Sequence, residues 1–256
     1  MLRSARELQG VPIHATDGDI GAVHDFLFDD VGWSVRYLVA DTRRWLPGRQ
    51  VLIPPLAIQD ANWRDKRLAL GLTREQVENS PPIEENHPMS RQRQRAYLDH
   101  FGWQPYWMDE LYYGWPVDAA REQMAIEGPR VGTLTEVPDE DADPHLRSMR
   151  EVMGYHIQAR DGEIGHVDDF ILDDERWSVR YLVVDTRNLL PGRKVLIAPE
   201  WADRMSWADE KVHVGLTKSA VKDSPEYQPD TLVNREYEVR LYDYYGRPKY
   251  WERGEN

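Results

Sequence analysis

The chain contains no cysteine, and this absence excludes disulfide frameworks, thiolate metal sites and cysteine nucleophiles together. It also lacks an apolar run of about 18 residues, which a membrane-spanning helix would need. The first residues, MLRSARELQG, carry no apolar stretch of the kind found in secretory signals. We therefore expect a cytoplasmic protein with no membrane span, stabilised by packing alone.

An excess of positive charge is lacking as well. The formal net charge is −13 and the pI is near 5.1, whereas affinity for nucleic acid comes largely from clustered Lys and Arg. No nucleic-acid partner is expected. The motifs GxSxG, GxxxxGK[ST] and HExxH do not occur, and the eight histidines form no HxxxH pair. The sequence therefore predicts a protein that is not an enzyme and that has no cofactor and no metal site.

What the sequence does contain is a long internal duplication. The segment LRSARELQG, which starts at Leu2, returns as LRSMREVMG at Leu146, and 146 minus 2 gives an offset of 144. At the same offset DGDIGAVHDFLFDD matches DGEIGHVDDFILDD, and WSVRYLVADT matches WSVRYLVVDT. Solenoid repeats have periods of about 20 to 50 residues. Each copy is therefore predicted to be a whole domain with its own separate core.

Short strands separated by turn residues fill the first part of each copy. In the first copy, Asp17-Gly18 predicts a tight hairpin, Asp29 to Gly32 predict the next turn, and Pro47-Gly48 close a loop before a fourth strand. Two shorter runs bring the number of predicted strands to six. Six strands within about seventy residues favour a small closed or nearly closed barrel, because closure hides the strand edges.

Helices with recognisable ends follow the strands. Thr73 and Ser90 are predicted N-caps in the first copy, Thr217 and Asn234 are their counterparts in the second, and Gly102 and Gly246 end the longer helices. The predicted fold class is mainly β, with two small antiparallel β-barrels, each followed by short helices and an aromatic-rich tail. The predicted domains are a first barrel at residues 1–82, a helical tail and acidic linker at 83–145, a second barrel at 146–226 and a C-terminal helix and tail at 227–256. A further helix is predicted near Asp118 to Ile126.

Three motifs occur in the same order in both copies: I-x-A-x-D-G-[DE]-I-G-x-V-x-D-F-x-x-D-D, W-S-V-R-Y-L-V-x-D-T and L-P-G-R-x-V-L-I. They resemble the PRC-barrel family, which is named after the cytoplasmic domain of the photosynthetic reaction-centre H subunit. The resemblance covers residues 2–72 and 146–216. The tails DHFGWQPYW and DYYGRPKYW also resemble those of soluble bacterial tandem PRC-barrel proteins. The resemblance implies a non-catalytic adaptor that binds proteins.

Aromatic residues near the end of each copy provide the strongest functional signal, because such residues are enriched at interaction surfaces. The alternative is that each tail folds back over its own or the sister barrel, and we favour it because large exposed apolar patches are uncommon on soluble monomers. The candidate interaction surface comprises Phe101, Trp103, Tyr106 and Trp107 in the first copy and Tyr244, Tyr245, Tyr250 and Trp251 in the second.

Two arginines, Arg36 and Arg180, lie within apolar strands, where an unpaired buried charge would cost several kcal/mol. A structural ion pair is therefore predicted for each, and a ligand-binding role is the alternative. The predicted partners are Asp25 for Arg36 and Asp169 for Arg180, with Asp41 and Asp185 as the other choice.

The repeated acid pairs, Asp29-Asp30 and Asp173-Asp174, are typical of turns. A divalent-metal or acid-base site is the alternative, because hard cations prefer oxygen ligands. The sequence thus predicts a non-catalytic interaction or scaffolding module whose partner is another protein or a second copy in a homodimer. The alternative function is a small-ligand or divalent-metal-binding protein that uses acidic loops at the barrel mouths.

Overall fold

The computed structural model describes residues 1–42, 46, 49–63, 65–81, 91–103, 145–186 and 193–252. This part of the chain is mainly β, as predicted, and its 14 strands belong to one mixed sheet that is not closed. The predicted linker, the helix near Asp118 to Ile126 and the N-cap at Ser90 lie outside the described residues. Within the described ranges, no helix is both long enough and apolar enough to cross a membrane.

The elements of the first copy are β1 (Leu2–Ser4), α1 (Ala5–Leu8), β2 (Pro12–Ala15), β3 (Gly18–Asp29), β4 (Ser34–Asp41), β5 (Gln50–Ile53), a 3₁₀ turn (Pro55–Ala57), β6 (Ile58–Asn62), β7 (Arg67–Leu70), α2 (Arg74–Glu78) and α3 (Arg91–His100). Those of the second copy are β8 (Leu146–Ser148), α4 (Met149–Val152), β9 (His156–Ala159), β10 (Gly162–Asp173), β11 (Ser178–Asp185), β12 (Lys194–Ile197), a 3₁₀ turn (Pro199–Trp201), β13 (Ala202–Ser206), β14 (Lys211–Val214), α5 (Lys218–Lys222), α6 (Arg235–Tyr245) and a 3₁₀ turn (Tyr250–Glu252). All six predicted strands of each copy are present, and one further short strand precedes them.

The chain forms two compact units, and each unit contains strands from both copies. The first-repeat unit comprises Glu7–Met149 and Glu175–Ser178, and the second-repeat unit comprises Met1–Arg6, Arg150–Asp174 and Val179–Asn256. The duplication predicted that each copy would build its core unaided. The structure differs, because the opening strand of each copy belongs to the unit formed mainly by the other copy. The predicted domain bounds at residues 82, 145 and 226 stay predictions.

Within the first-repeat unit the strand order is β5-β4-β3-β2-β7-β6, and β8 pairs with the end of β3. Strands β2 and β7 run parallel, since the β6–β7 hairpin brings β7 alongside β2 in the same direction. The second-repeat unit repeats this order as β12-β11-β10-β9-β14-β13, with β1 paired to β10 and with β14 parallel to β9. The prediction of purely antiparallel sheets was therefore wrong. Among the described strands no pairing joins β5 to β6 or β12 to β13.

Equivalent positions of the two copies bury equivalent side chains. Apolar residues form the core of each unit; they alternate with less buried residues in short strands such as β2 and β7 and follow one another in β4 and β5, where both faces are covered. Pairs of equivalent residues that are fully buried in both copies include Ile13 and Ile157, Ile20 and Ile164, Phe26 and Phe170, Tyr37 and Tyr181, Leu38 and Leu182, and Leu52 and Leu196. The duplicated pattern therefore specifies the same core twice.

The repeated turn motifs each have a local structural role. The carboxylate of Asp17 accepts the backbone N–H of Arg74 at 2.7 Å, so the hairpin acid also satisfies a donor at the start of α2. Thr73 forms the predicted N-cap, with its hydroxyl accepting the N–H of Gln76. The L-P-G-R arginine, Arg49, donates to the carbonyls of Glu78 and Ser80 and thereby ties the start of β5 to the end of α2.

The second copy uses the same devices. Asp161 accepts the N–H of Lys218 at 2.7 Å, Thr217 caps α5, and Arg193 donates to the carbonyl of Ser224. Helix α6 begins at its predicted cap, Asn234, and ends at Gly246 in the left-handed conformation.

Candidate functional site

A short N-terminal strand, called here the first arm (β1), docks on the end of β10 in the second-repeat unit. The register pairs Leu2 with Asp173, Arg3 with Leu172 and Ser4 with Ile171. Arg3 Nε lies 2.7 Å from Asp174 Oδ2, the terminal amino group also contacts Asp174, and the Ser4 hydroxyl donates to Asp169. We call this docking surface, with its carboxylates Asp169 and Asp174, the β10 slot.

The second arm (β8) docks in the same way on the end of β3 in the first-repeat unit. The register pairs Leu146 with Asp29, Arg147 with Phe28 and Ser148 with Leu27. Arg147 Nε lies 2.7 Å from Asp30 Oδ2, and the Ser148 hydroxyl donates to Asp25 Oδ2 at 2.5 Å. This surface, with Asp25 and Asp30, is the β3 slot.

Both repeated acid pairs have structural roles. Asp29 binds Arg36 at 2.9 Å and accepts the backbone N–H groups of Val31 and Gly32, so it also forms the predicted turn. Its neighbour Asp30 binds the second arm through Arg147. In the second copy Asp173 binds Arg180 at 3.0 Å and Asp174 binds the first arm. Each of these carboxylates has an arginine as its partner.

The predicted ion pairs of the arginines need correction in their partners. Arg36 and Arg180 bind carboxylates seven residues earlier, Asp29 and Asp173, whereas Asp25 and Asp169 accept the hydroxyls of the arm serines. The reason is the register of the hairpin. Arg36 lies between the pairs Leu27–Tyr37 and Phe28–Val35 and is therefore next to Asp29, whereas Asp25 lies opposite Val39.

Burial has an electrostatic effect at the serine-binding carboxylate Asp169. Desolvation raises the pKa of Asp169, and hydrogen bonds from the Ser4 hydroxyl and from the N–H groups of Phe170 and Arg6 only partly oppose this effect. A carboxylate buried in this way needs its donors, because an unsatisfied buried acceptor is costly. The arm serine therefore contributes to recognition as well as to pairing.

A cluster that was not predicted from the sequence lies on β10 and β11 of the second-repeat unit. His166, Asp168 and Asp185 each offer a ligand atom, and these atoms lie within 4.8 Å of one another. Lys194 Nζ lies 2.6 Å from Asp168 and Arg6 lies 3.5 Å from it. Burial alone would raise the pKa of Asp168, but the hydrogen bond from Lys194 and the charges of Arg6 and Lys194 lower it overall.

This cluster belongs to one copy only. The positions 144 residues earlier hold Ala22, His24 and Asp41, with Gln50 in place of Lys194. The spacing of His166 and Asp168, which places both side chains on one face of a strand, is the signal that could have indicated the cluster. Because cations of the protein itself neutralise Asp168, we interpret it as an ion-pair network.

The aromatic tail of the second copy folds back onto its own unit. Tyr245 packs on Trp201 with ring centres 4.6 Å apart, and Tyr250 contacts Trp251 at 4.9 Å. Burial raises the pKa of Tyr245 to about 12. Tyr244 is the exception, since 42% of its surface is exposed.

The first copy shows part of the same arrangement. Phe101 stacks on Trp103 at 4.8 Å and contacts Tyr97 at 5.5 Å. Tyr97 is buried, and its hydroxyl donates to the carbonyl of Leu52 at 2.5 Å. The remaining predicted surface residues, Tyr106 and Trp107, lie outside the described residues.

A buried glutamate that no sequence pattern predicted anchors the C-terminal tail. Glu238, with 3% of its surface exposed, accepts the hydroxyls of Tyr181 at 2.8 Å and Tyr250 at 2.9 Å and binds Arg235 at 3.0 Å. Burial raises the pKa of both tyrosines, so they stay neutral donors at neutral pH. The equivalent residue of the first copy is Gln94, which lies 3.4 Å from the hydroxyl of Tyr37.

A scan against protein-family models finds no match for the chain, and a search of curated proteins finds no significant match. The family resemblance of the repeated motifs therefore stays a prediction.

Proposed function

We propose that the protein is a non-catalytic interaction and scaffolding module composed of two PRC-like barrels in tandem, and that it acts in the cytoplasm. The observation that supports this proposal is the use of the repeated charged residues. In both copies they hold arms, turns and helix ends together, as Asp30 does with Arg147 and Asp174 does with Arg3. A chemistry common to both copies would require repeated polar groups that point into a shared site. The repeated groups instead build the architecture.

The same observation weighs against the alternative function. A divalent cation at the acidic turns would have to displace an arginine from every carboxylate of the two pairs, for example Arg36 from Asp29 and Arg180 from Asp173. Charge-assisted hydrogen bonds of this kind are among the stronger polar contacts in proteins. The acidic turns are therefore a poor basis for metal or small-ligand binding.

A protein partner is favoured by the exposed apolar side chains of the second-repeat unit. Trp207, Leu232 and Tyr244 expose 36%, 61% and 42% of their surfaces. Aromatic side chains that keep a polar tip near water are enriched at protein interfaces. Tyr244 is also one of the residues predicted for the interaction surface, and it is the most exposed of those described in the second tail.

Crosslinking in native extract with the intact chain as bait tests the proposal. We expect a protein partner that depends on Tyr244, so Tyr244→Ser should reduce the yield of the crosslinked species. Tyr244→Phe is the matched control, because it keeps the ring and loses only the hydroxyl bond to the carbonyl of Ala220. A chain that recovers no partner and that light scattering shows as a strict monomer would contradict the proposal.

A further inference from the structure

The two arms are nearly the same ligand, and the two slots are nearly the same receptor. Both arms carry the sequence Leu-Arg-Ser, and both run antiparallel to the end of the long strand that receives them. In each case the arginine binds the second acid of a repeated pair, and the serine binds the aspartate five residues before it. Either arm therefore has the groups that either slot requires.

Each slot, moreover, is filled by an arm that is distant in sequence. The first arm reaches the β10 slot from a position 171 residues earlier, as measured from Arg3 to Asp174. The second arm reaches the β3 slot from a position 117 residues later, as measured from Arg147 to Asp30. No short connection in the chain therefore holds an arm next to its slot, and the contacts of the arm itself keep it there.

We propose that these slots also accept the arm of a second copy of the chain, so that the protein assembles with itself by exchange of arms. This inference rests on the proposed interaction function and names the partner: another copy, bound by addition of its arm as a strand to the end of β10 or β3. The binding mode is β-augmentation, in which main-chain hydrogen bonds supply affinity and side-chain contacts supply specificity.

Charge complementarity supports this occupant. The first arm carries Arg3 and, just beyond the strand, Arg6, whereas its slot carries Asp169 and Asp174, and Asp168 lies next to Arg6. Positively charged extended segments that end in serine therefore match the slot, whereas acidic segments would be repelled.

A charge exchange between two purified full-length variants tests the proposal. Arg3→Asp places an aspartate against Asp174 of its own chain, and Asp174→Arg places an arginine against Arg3 of its own chain. When the two variants are mixed, each first arm meets a β10 slot of opposite charge only in the other molecule. The matched control combines both substitutions in one chain, which restores an opposite pair within the same molecule.

We expect the equimolar mixture to show by light scattering about twice the mass of one 30.0-kDa chain. Each single variant alone should stay at the mass of one chain, and the double variant should have the same mass distribution as the wild type. A mixture of folded variants that keeps the mass of one chain would overturn the inference. This measurement uses only purified chains, so a negative result would overturn the exchange of arms alone. The proposed binding of another protein would still be tested by crosslinking in extract.

If either single variant does not fold, a peptide measurement decides. The full chain without residues 1–4 is mixed with a fluorescent peptide of the second-arm sequence, LRSMREVMG, and binding is followed by anisotropy. We expect binding to the vacated β10 slot, and we expect at least a tenfold loss of affinity when the first arginine of the peptide, which corresponds to Arg147, is replaced by aspartate, since charge-assisted contacts of this kind contribute a factor of about ten or more. If the second-arm peptide does not bind, the arms are not interchangeable and the proposal is overturned.

Discussion

Replacement of Gly165 by alanine should destabilise the protein far more than alanine at any open glycine. Gly165 has φ near +78°, and a Cβ at this position would lie 2.0 Å from the carbonyl oxygen of Asp185. Ordinary van der Waals contact begins at 3.4 Å, so β10 and the end of β11 would have to separate by about 1.4 Å, the difference between the two distances. One clashing atom is the backbone oxygen of Asp185 and the other is the added Cβ, and a change of rotamer moves neither of them.

The magnitude follows from two contributions. A left-handed backbone costs an alanine about 1 to 2 kcal/mol, and displacement of the packed strands should bring the total to about 4 kcal/mol or more, the level reached by overpacking and strained backbone together. Many domains have a free energy of unfolding of only about 5 to 15 kcal/mol. We therefore expect the variant to be barely folded.

Urea unfolding followed by tryptophan fluorescence measures the effect. Gly154→Ala is the matched control in the same unit, because Gly154 also has positive φ, +108°, but a Cβ there meets nothing within 4 Å. The control should lose only the backbone contribution, about 1 to 2 kcal/mol. Equal losses of stability in the two variants would show that the close approach to Asp185 is not what requires glycine at position 165.

Three further predictions concern charged groups. Arg36→Met leaves the buried carboxylate of Asp29 without its cation and should lower the free energy of unfolding by about 3 kcal/mol; loss of partner binding with unchanged stability would show that the arginine is a ligand group instead. Asp168→Asn should lower the free energy of unfolding by about 1 to 3 kcal/mol at pH 7. The pKa of Asp168 in the folded protein is below its ordinary value of 3.8, so the ionised carboxylate stabilises the protein above about pH 4, and this contribution is lost as the pH falls through the lowered pKa. Urea unfolding should therefore show a smaller difference in stability between the variant and the wild type at pH 3 than at pH 7. An equal difference at the two pH values would contradict the ion-pair network. Glu238→Gln should lower the free energy of unfolding in urea by about 1 to 2 kcal/mol. The variant should keep the fold, because Gln94 occupies this position in the other copy, and complete loss of the fold would contradict this equivalence.

Much of the local structure could be predicted from the sequence, because local patterns cause it. The alternation of apolar residues, the hairpin acid Asp17 and the caps Thr73 and Asn234 act over a few residues, and the structure confirms the strands and helix ends that they predicted. The partners of Arg36 and Arg180 were predicted less well. The pairing register of β3 with β4 decides which carboxylate Arg36 reaches, and the register between two strands leaves no local pattern in the sequence.

The candidate surface shows the same limit. Aromatic residues predict burial or an interface equally well, and only packing distinguishes the two. Tyr250 is held by Glu238 and Tyr245 by Trp201, whereas Tyr244 stays exposed. Glu238 reads in the sequence as one charge among several on a helix, and its role depends on Tyr181, 57 residues away.

The sequence alone determined that this protein has two equivalent copies of one strand pattern, with the same core residues and the same turns in each. The tertiary structure alone decided which copy supplies the arm for which slot. The physical reason lies in the duplication. The two arms and the two slots carry the same groups, so local interactions have nearly the same energy in either pairing, and only the path of the whole chain selects between them.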